Sequence, residues 1–171
     1  GELVAVLADG MGGHVAGAIA SRTACHACVA TYSETPGPHS VKFAASLDAA
    51  NTSIARQVAR QKSLEGMGCT LVAVSFGPTG VRWISVGDSP LFLFRGQSLY
   101  QLNEDHSLAP VLDRLAAVGE LSAEEAENHP RRHFLRSALT GADIELVDLT
   151  DHCLPLEPGD LVVIASDGIE T

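Results

Sequence analysis

An α+β fold is predicted by three features of the sequence. Hairpins recur along its middle with connections too short for a crossover, which implies antiparallel sheets. Apolar residues at helical spacing cluster outside those hairpins, so the helices cover sheets instead of linking parallel strands. Three apolar runs each lead into an Asp with a Gly beside it, which gathers acidic side chains at one sheet edge.

Taken in order, Leu3-Val4-Ala5-Val6-Leu7-Ala8 has the length and composition of a buried strand. It runs into Asp9-Gly10-Met11-Gly12-Gly13-His14, where three glycines within four residues let the backbone turn tightly and approach something closely. Small and apolar residues from position 14 to about 32 predict a helix packed close on the sheet, ended by Thr35-Pro36-Gly37-Pro38. Ser40 is a candidate cap for a second helix running to about residue 61. Residues 69–76 and 81–86 form a hairpin through Gly77-Pro78-Thr79-Gly80, and 91–94 with 98–102 form another. Between them lies Gly87-Asp88-Ser89.

Residues 103–134 are more polar. Ser107 can cap a short helix to about residue 118, and Ser122 with Glu125 makes a capping box for another. His129-Pro130-Arg131-Arg132-His133 is the most basic cluster of the chain, readable either as a solvated loop or as a mobile flap suited to phosphoryl oxygens. Residues 144–149 predict a strand, Leu156-Glu157-Pro158-Gly159-Asp160 a tight turn, and 161–166 a last strand entering Asp167-Gly168.

The 171 residues fit one domain with a sizeable core. A net charge of −10 argues against nucleic acid or an anionic membrane surface as the main partner. No apolar run has the length of a membrane span, and no leader peptide is recognised. Cys25-His26-Ala27-Cys28 has a zinc-like or redox-like spacing. It lies within a helical pattern and lacks a second matching pair, so it reads as buried small side chains. Four scattered cysteines accord with a reducing, cytoplasmic setting. The chain opens inside a strand and stops three residues after Gly168, so it reads as an excerpt of a larger domain.

Clustered carboxylates repel one another unless cations neutralise them, and oxygen ligands of this kind suit Mg²⁺ or Mn²⁺. Each residue also has a plainer explanation. Asp-Gly is a common turn dipeptide, which covers Asp167; Asp88 alone would cap a turn; His14 alone would merely start a helix.

Asp9-Gly10-Met11-Gly12-Gly13-His14, followed by Gly17, resembles the D-G-M-G-G-H-x-x-G signature of bacterial metal-dependent serine/threonine phosphatases of the PP2C type. Gly66-Met67-Gly68-Cys69-Thr70-Leu71, Val86-Gly87-Asp88-Ser89, Glu104-Asp105-His106-Ser107, Ala138-Leu139-Thr140-Gly141 and Ser166-Asp167-Gly168 follow in the family's order. The resemblance implies an αββα sandwich of two packed sheets flanked by helices. It implies hydrolysis of phosphoserine and phosphothreonine on proteins, the products of a cognate kinase, by water activated between two Mn²⁺ or Mg²⁺ ions. On the matching positions, Asp9 bridges the metals, Gly10 offers its carbonyl, Asp167 binds one ion, and Asp88 helps hold a weaker third. His14 becomes a proton donor or substrate contact, and Arg131, Arg132 and His133 face the substrate from a flap spanning 103–134.

Several positions depart from the family pattern. Met11 stands where eukaryotic relatives carry a His, and Pro90 where the family usually has Arg. The phosphate-binding Arg, the N-E-D run and the final D-N pair have no counterpart in the sequence. Two other readings stay open: a non-catalytic phosphopeptide-binding module, and a phosphatase acting on small esters.

Overall fold

Two antiparallel sheets stack face to face, and a pair of long helices covers the outside of one. The computed structural model describes residues 1–150, 152–166 and 168. The first sheet has the order β1 (Leu3–Leu7), β4 (Leu71–Gly77), β5 (Gly80–Val86) and β8 (Asp148–Leu149). The second runs β7 (Ser98–Gln101), β6 (Leu91–Arg95), β9 (Leu161–Ile164). A short ribbon joins β2 (Gly10–Met11) to β3 (Gly68–Cys69). The predicted α+β class is the observed one.

Alternation along β4 and β5 divides the interior in two, because successive strand residues point to opposite faces. Leu71, Ala73, Ile84 and Val86 face the helices, while Val72, Val74, Val81 and Trp83 face the second sheet together with Leu91. Each fully buried Leu or Ile contributes about 1.5–3 kcal/mol relative to exposure. The outer face of the second sheet keeps Phe94, Leu99, Leu161 and Val163 exposed.

Helix α1 (His14–Glu34) presents Gly17, Ala20, Ala24, Cys28 and Tyr32, a stripe of mostly small side chains that brings its axis close to the sheet. Helix α2 (His39–Arg60) buries Phe43, Leu47, Ala50 and Ile54 beside it. The start of α2 differs from expectation: Pro38 is its N-cap, no side chain caps it, and Ser40 lies within its first turn. Helices α3 (Ala109–Ala117) and α4 (Ala123–Glu127) belong to the 103–134 segment, and the predicted capping box of Ser122 with Glu125 is present.

Two strand assignments are corrected. Residues 69–76 are not one strand: the chain breaks at Thr70 and passes from the β2–β3 ribbon into the first sheet. The strand expected over 144–149 shrinks to β8. Its earlier part is held by a side chain instead, since Ser137 Oγ donates to the Leu146 carbonyl (2.8 Å) and accepts from the Leu146 amide (3.0 Å). A 3₁₀ turn at Lys62–Leu64 also separates α2 from β3.

Candidate metal centre

The register of the first sheet places three chain segments at one edge. Leu7 ends β1 opposite Val72, and Leu71 begins β4 opposite Val86, the last residue of β5. Asp9, Thr70 and the Gly87–Asp88 turn are therefore neighbours by construction. Asp9 and Thr70 exchange two hydrogen bonds: the Thr70 amide donates to the Asp9 carbonyl (2.9 Å), and the Asp9 amide donates to Thr70 Oγ1 (3.0 Å). The Thr70 hydroxyl also lies 2.7 Å from Ser89 Oγ in a buried contact. In the second sheet β9 ends beside the same turn, where the Ala165 amide donates to the Pro90 carbonyl (3.1 Å).

The glycines explain how the backbone fits here. A Cβ on Gly10 would lie 2.0 Å from the Gly17 carbonyl oxygen, so the first turn of α1 packs directly on β2. Close approach was expected of these glycines, and the partner is the protein's own backbone. Gly87 has φ +103°, and a Cβ there would come within 2.6 Å of Thr70 Cγ2. Only glycine satisfies both conditions.

Asp9, Gly10, Met11, Thr70, Asp88, His133 and Leu135 line one cavity of about 250 Å³. Larger grooves of about 490 and 550 Å³ lie between α2 and residues 141–149 and within the 103–134 segment, but neither joins carboxylates from strand ends. The small cavity brings two strand-end carboxylates together. Two carboxylates and a strand-end carbonyl are hard oxygen donors, which fits a cation such as Mg²⁺ or Mn²⁺. Among the described residues no three His, Cys, Asp or Glu side chains are grouped so as to hold a metal ion, and the predicted ligand Asp167 lies outside those residues. Cys69 adds no thiolate to this donor set. Burial, with Cys25 and Asp9 nearby, pushes its thiol up to about 12. Burial likewise pushes Cys28 up to about 12, so these cysteines are packing residues as expected.

The remaining predicted residues divide. His133 reaches the cavity wall. His14 is the first residue of α1, exposed, and not part of that wall. Arg132 is engaged within its own segment. Its guanidinium donates to both Asp113 carboxylate oxygens (2.7 and 3.1 Å) and to the Ala126 carbonyl (3.2 Å). That bond holds Asp113 below the usual carboxylate range. Arg131 lies over the exposed Phe134 ring, 6.0 Å from its centroid. Sequence reasoning missed Thr70, which joins the acidic turns. The available signals were its place in the Gly66–Leu71 motif and a hydroxyl beside an apolar run.

Stacked antiparallel sheets with carboxylates and a histidine at one open edge define a two-sheet α+β protein with an acidic edge cavity. The chain belongs to the protein phosphatase 2C family, which matches residues 1–171. It is 35% identical to the serine/threonine protein phosphatase PstP of Mycobacterium tuberculosis over 170 residues, 99% of this chain and 32% of that protein. It is also 35% identical to the protein phosphatase PhpP of Streptococcus pneumoniae, over 99% of this chain and 68% of the relative. The crystal structure of the PstP catalytic domain in complex with two manganese ions superposes with a TM-score of 0.74 at 34% identity, covering 96% of this chain and 67% of that one. The chain thus spans about a third of the length of the mycobacterial relative.

Proposed function

We propose that residues 1–171 belong to a single catalytic domain of a metal-dependent protein serine/threonine phosphatase, with residues 103–134 as a flap beside its acidic cavity. The observation that carries this reading is the convergence of Asp9 and Asp88, from two strand ends, with Gly10 and His133 on one cavity. The manganese-bound relative supports the same choice of cation.

In this reading Asp9, the Gly10 carbonyl, Asp88 and Asp167 hold Mn²⁺ or Mg²⁺, with Asp88 serving the more weakly held ion. Two such ions, when bound, supply charge to the phosphoryl oxygens and lower the pKa of a water nucleophile. The protein's own part is positioning. Thr70 holds the Asp9 backbone and the Ser89 turn together, so the two carboxylates keep a fixed separation. His133 donates a hydrogen bond to a phosphoryl oxygen from the flap side. Met11 gives an apolar wall without a proton donor. His14, exposed at the start of α1, contacts the substrate chain, the better match of its two expected roles. Arg131 meets acidic residues of the substrate. The substrates are phosphoserine and phosphothreonine proteins, a reading supported by the relative's name, serine/threonine protein phosphatase, and they are the products of a partner kinase.

Phosphate release from a phosphothreonine peptide tests this directly. It should require Mn²⁺ or Mg²⁺, stop with a chelator, and fall at least about a hundredfold in Asp9→Asn. Peptide binding without phosphate release at any metal concentration would favour the binding-module reading. Faster turnover of a small aryl phosphate than of the peptide would favour the small-ester reading.

A further inference from the structure

The Glu104-Asp105-His106-Ser107 motif contributes no residue to the cavity wall, yet His106 is 2% exposed. Its backbone amide donates to the Gly87 carbonyl (3.1 Å), and the Gly87 amide donates to its Nδ1 (3.2 Å). Accepting at Nδ1 places the ring proton on Nε2. Among the described residues Nε2 has no hydrogen-bond partner, and Glu104 Oε2 stands 3.8 Å away. Burying an imidazole with one nitrogen unpaired carries a cost that a hydrocarbon in the same space would avoid. The bond made by the other nitrogen is therefore the feature to explain.

That bond sits at a junction. Gly87 precedes Asp88 in a turn that only glycine can form. On its other side, the His106 carbonyl accepts from the Arg136 amide (2.8 Å), Ser107 bridges to Leu135, and the Leu108 amide donates to the Phe134 carbonyl (3.0 Å). Residues 106–108 and 134–136 thus form the neck of the 103–134 segment, and His133 and Leu135 at that neck line the cavity. One histidine grips the Asp88 turn with its ring and backbone, and the neck with its carbonyl.

We propose that His106 is a positioning residue that fixes the Asp88 carboxylate and the His133 imidazole relative to each other by clamping Gly87 to the flap neck. This rests on the phosphatase reading for its purpose, because it takes Asp88 as a metal-holding group. Displacement of the neck then moves both walls of the cavity together. A ring that merely fills space would be replaceable by any side chain of similar volume.

NMR on the metal-free chain tests the clamp apart from any activity. The nitrogen–nitrogen coupling across the Gly87 amide and His106 Nδ1 should be observable in the unmutated protein. In His106→Gln, whose carbonyl oxygen overreaches the Nδ1 position, Gly87 amide exchange should rise about tenfold and the His133 resonances should shift. His106→Asn, whose oxygen lies where Nδ1 lies, should restore both. Mn²⁺ affinity should follow the same order, falling about tenfold to a hundredfold in His106→Gln and recovering in His106→Asn. Absence of the coupling, unchanged Gly87 and His133 signals in His106→Gln, or an Mn²⁺ affinity indifferent to their displacement would each overturn the proposal. An unmutated chain that binds no Mn²⁺ would instead overturn the metal reading of Asp88, while the coupling and His133 shifts would still decide the clamp.

Discussion

The Thr70 and Ser89 hydroxyls lie 2.7 Å apart in the interior, and through them the turn that carries Asp9 is joined to the turn that carries Asp88. Thr70 immediately precedes β4 and Ser89 follows β5, so the contact ties two strand ends of the same edge. Thr70→Val keeps the shape and removes the hydroxyl. It leaves the Asp9 amide without its acceptor and Ser89 without its partner. A loss of about 1–3 kcal/mol is expected, read as a lower urea midpoint at unchanged slope. A midpoint equal to the parent's would show that this contact adds nothing.

Gly87→Ala should be more damaging than its size suggests. The new methyl would have to accept φ near +103° and lie 2.6 Å from Thr70 Cγ2. A destabilisation of about 2 kcal/mol or more follows from the backbone strain and the contact together. Thermal unfolding measures it, and a transition temperature within a degree of the parent's would contradict the geometry.

The two neighbouring arginines of the 103–134 segment should behave differently. Arg132 holds Asp113, and both sit near the surface, so their coupling in a double-mutant cycle should be about 1 kcal/mol or less and should weaken with salt. Arg132→Ala and Asp113→Ala should then affect activity to a similar extent. Arg131→Ala should raise KM for an acidic phosphopeptide several-fold and leave a small aryl phosphate unaffected. Equal losses on both substrates would assign Arg131 a structural role.

Acid stability should depend on Glu2, which precedes β1 at the end away from Asp9. Burial opposes its ionisation. The Ser75 and Tyr32 hydroxyls, which donate to Oε1 at 2.5 and 2.6 Å, together with Lys42 and His39, outweigh that effect. Its pKa falls from 4.5 to about 2. A depressed carboxylate stabilises the fold fully above its unfolded value, and that contribution fades as pH drops from about 4.5 toward 2. Glu2→Gln should be less stable at neutral pH and show a flatter acid limb across that window. Superimposable acid limbs would contradict the network.

Much of this architecture is legible in the residues. The hairpins at 77–80 and 95–98 carry their own turn chemistry, and the capping box of α4 is local, so both appear where expected. What escaped depends on distant partners. At the strand break Thr70 bonds Asp9, 61 residues away, through both its amide and its hydroxyl. Residues 144–147 leave the sheet because Ser137 satisfies Leu146. Arg132 looked available for substrate because Asp113, 19 positions earlier, becomes its neighbour only once α3 and α4 pack together. At the cavity, the strand-end Asp residues were visible as a pattern, and Asp9 and Asp88 line it together with His133. His106 was hidden for the opposite reason: a polar tetrapeptide gives no sign of burial.

Calorimetry of manganese binding by the parent chain, Asp9→Asn, Asp88→Asn and the double variant shows whether the acidic edge holds the ion. If both carboxylates serve one metal centre, Asp9→Asn should lower affinity at least about a hundredfold, Asp88→Asn by a smaller factor, and the double variant by less than the product of the two. Equal Mn²⁺ affinity in the parent and Asp9→Asn would mean that the acidic edge does not hold the ion.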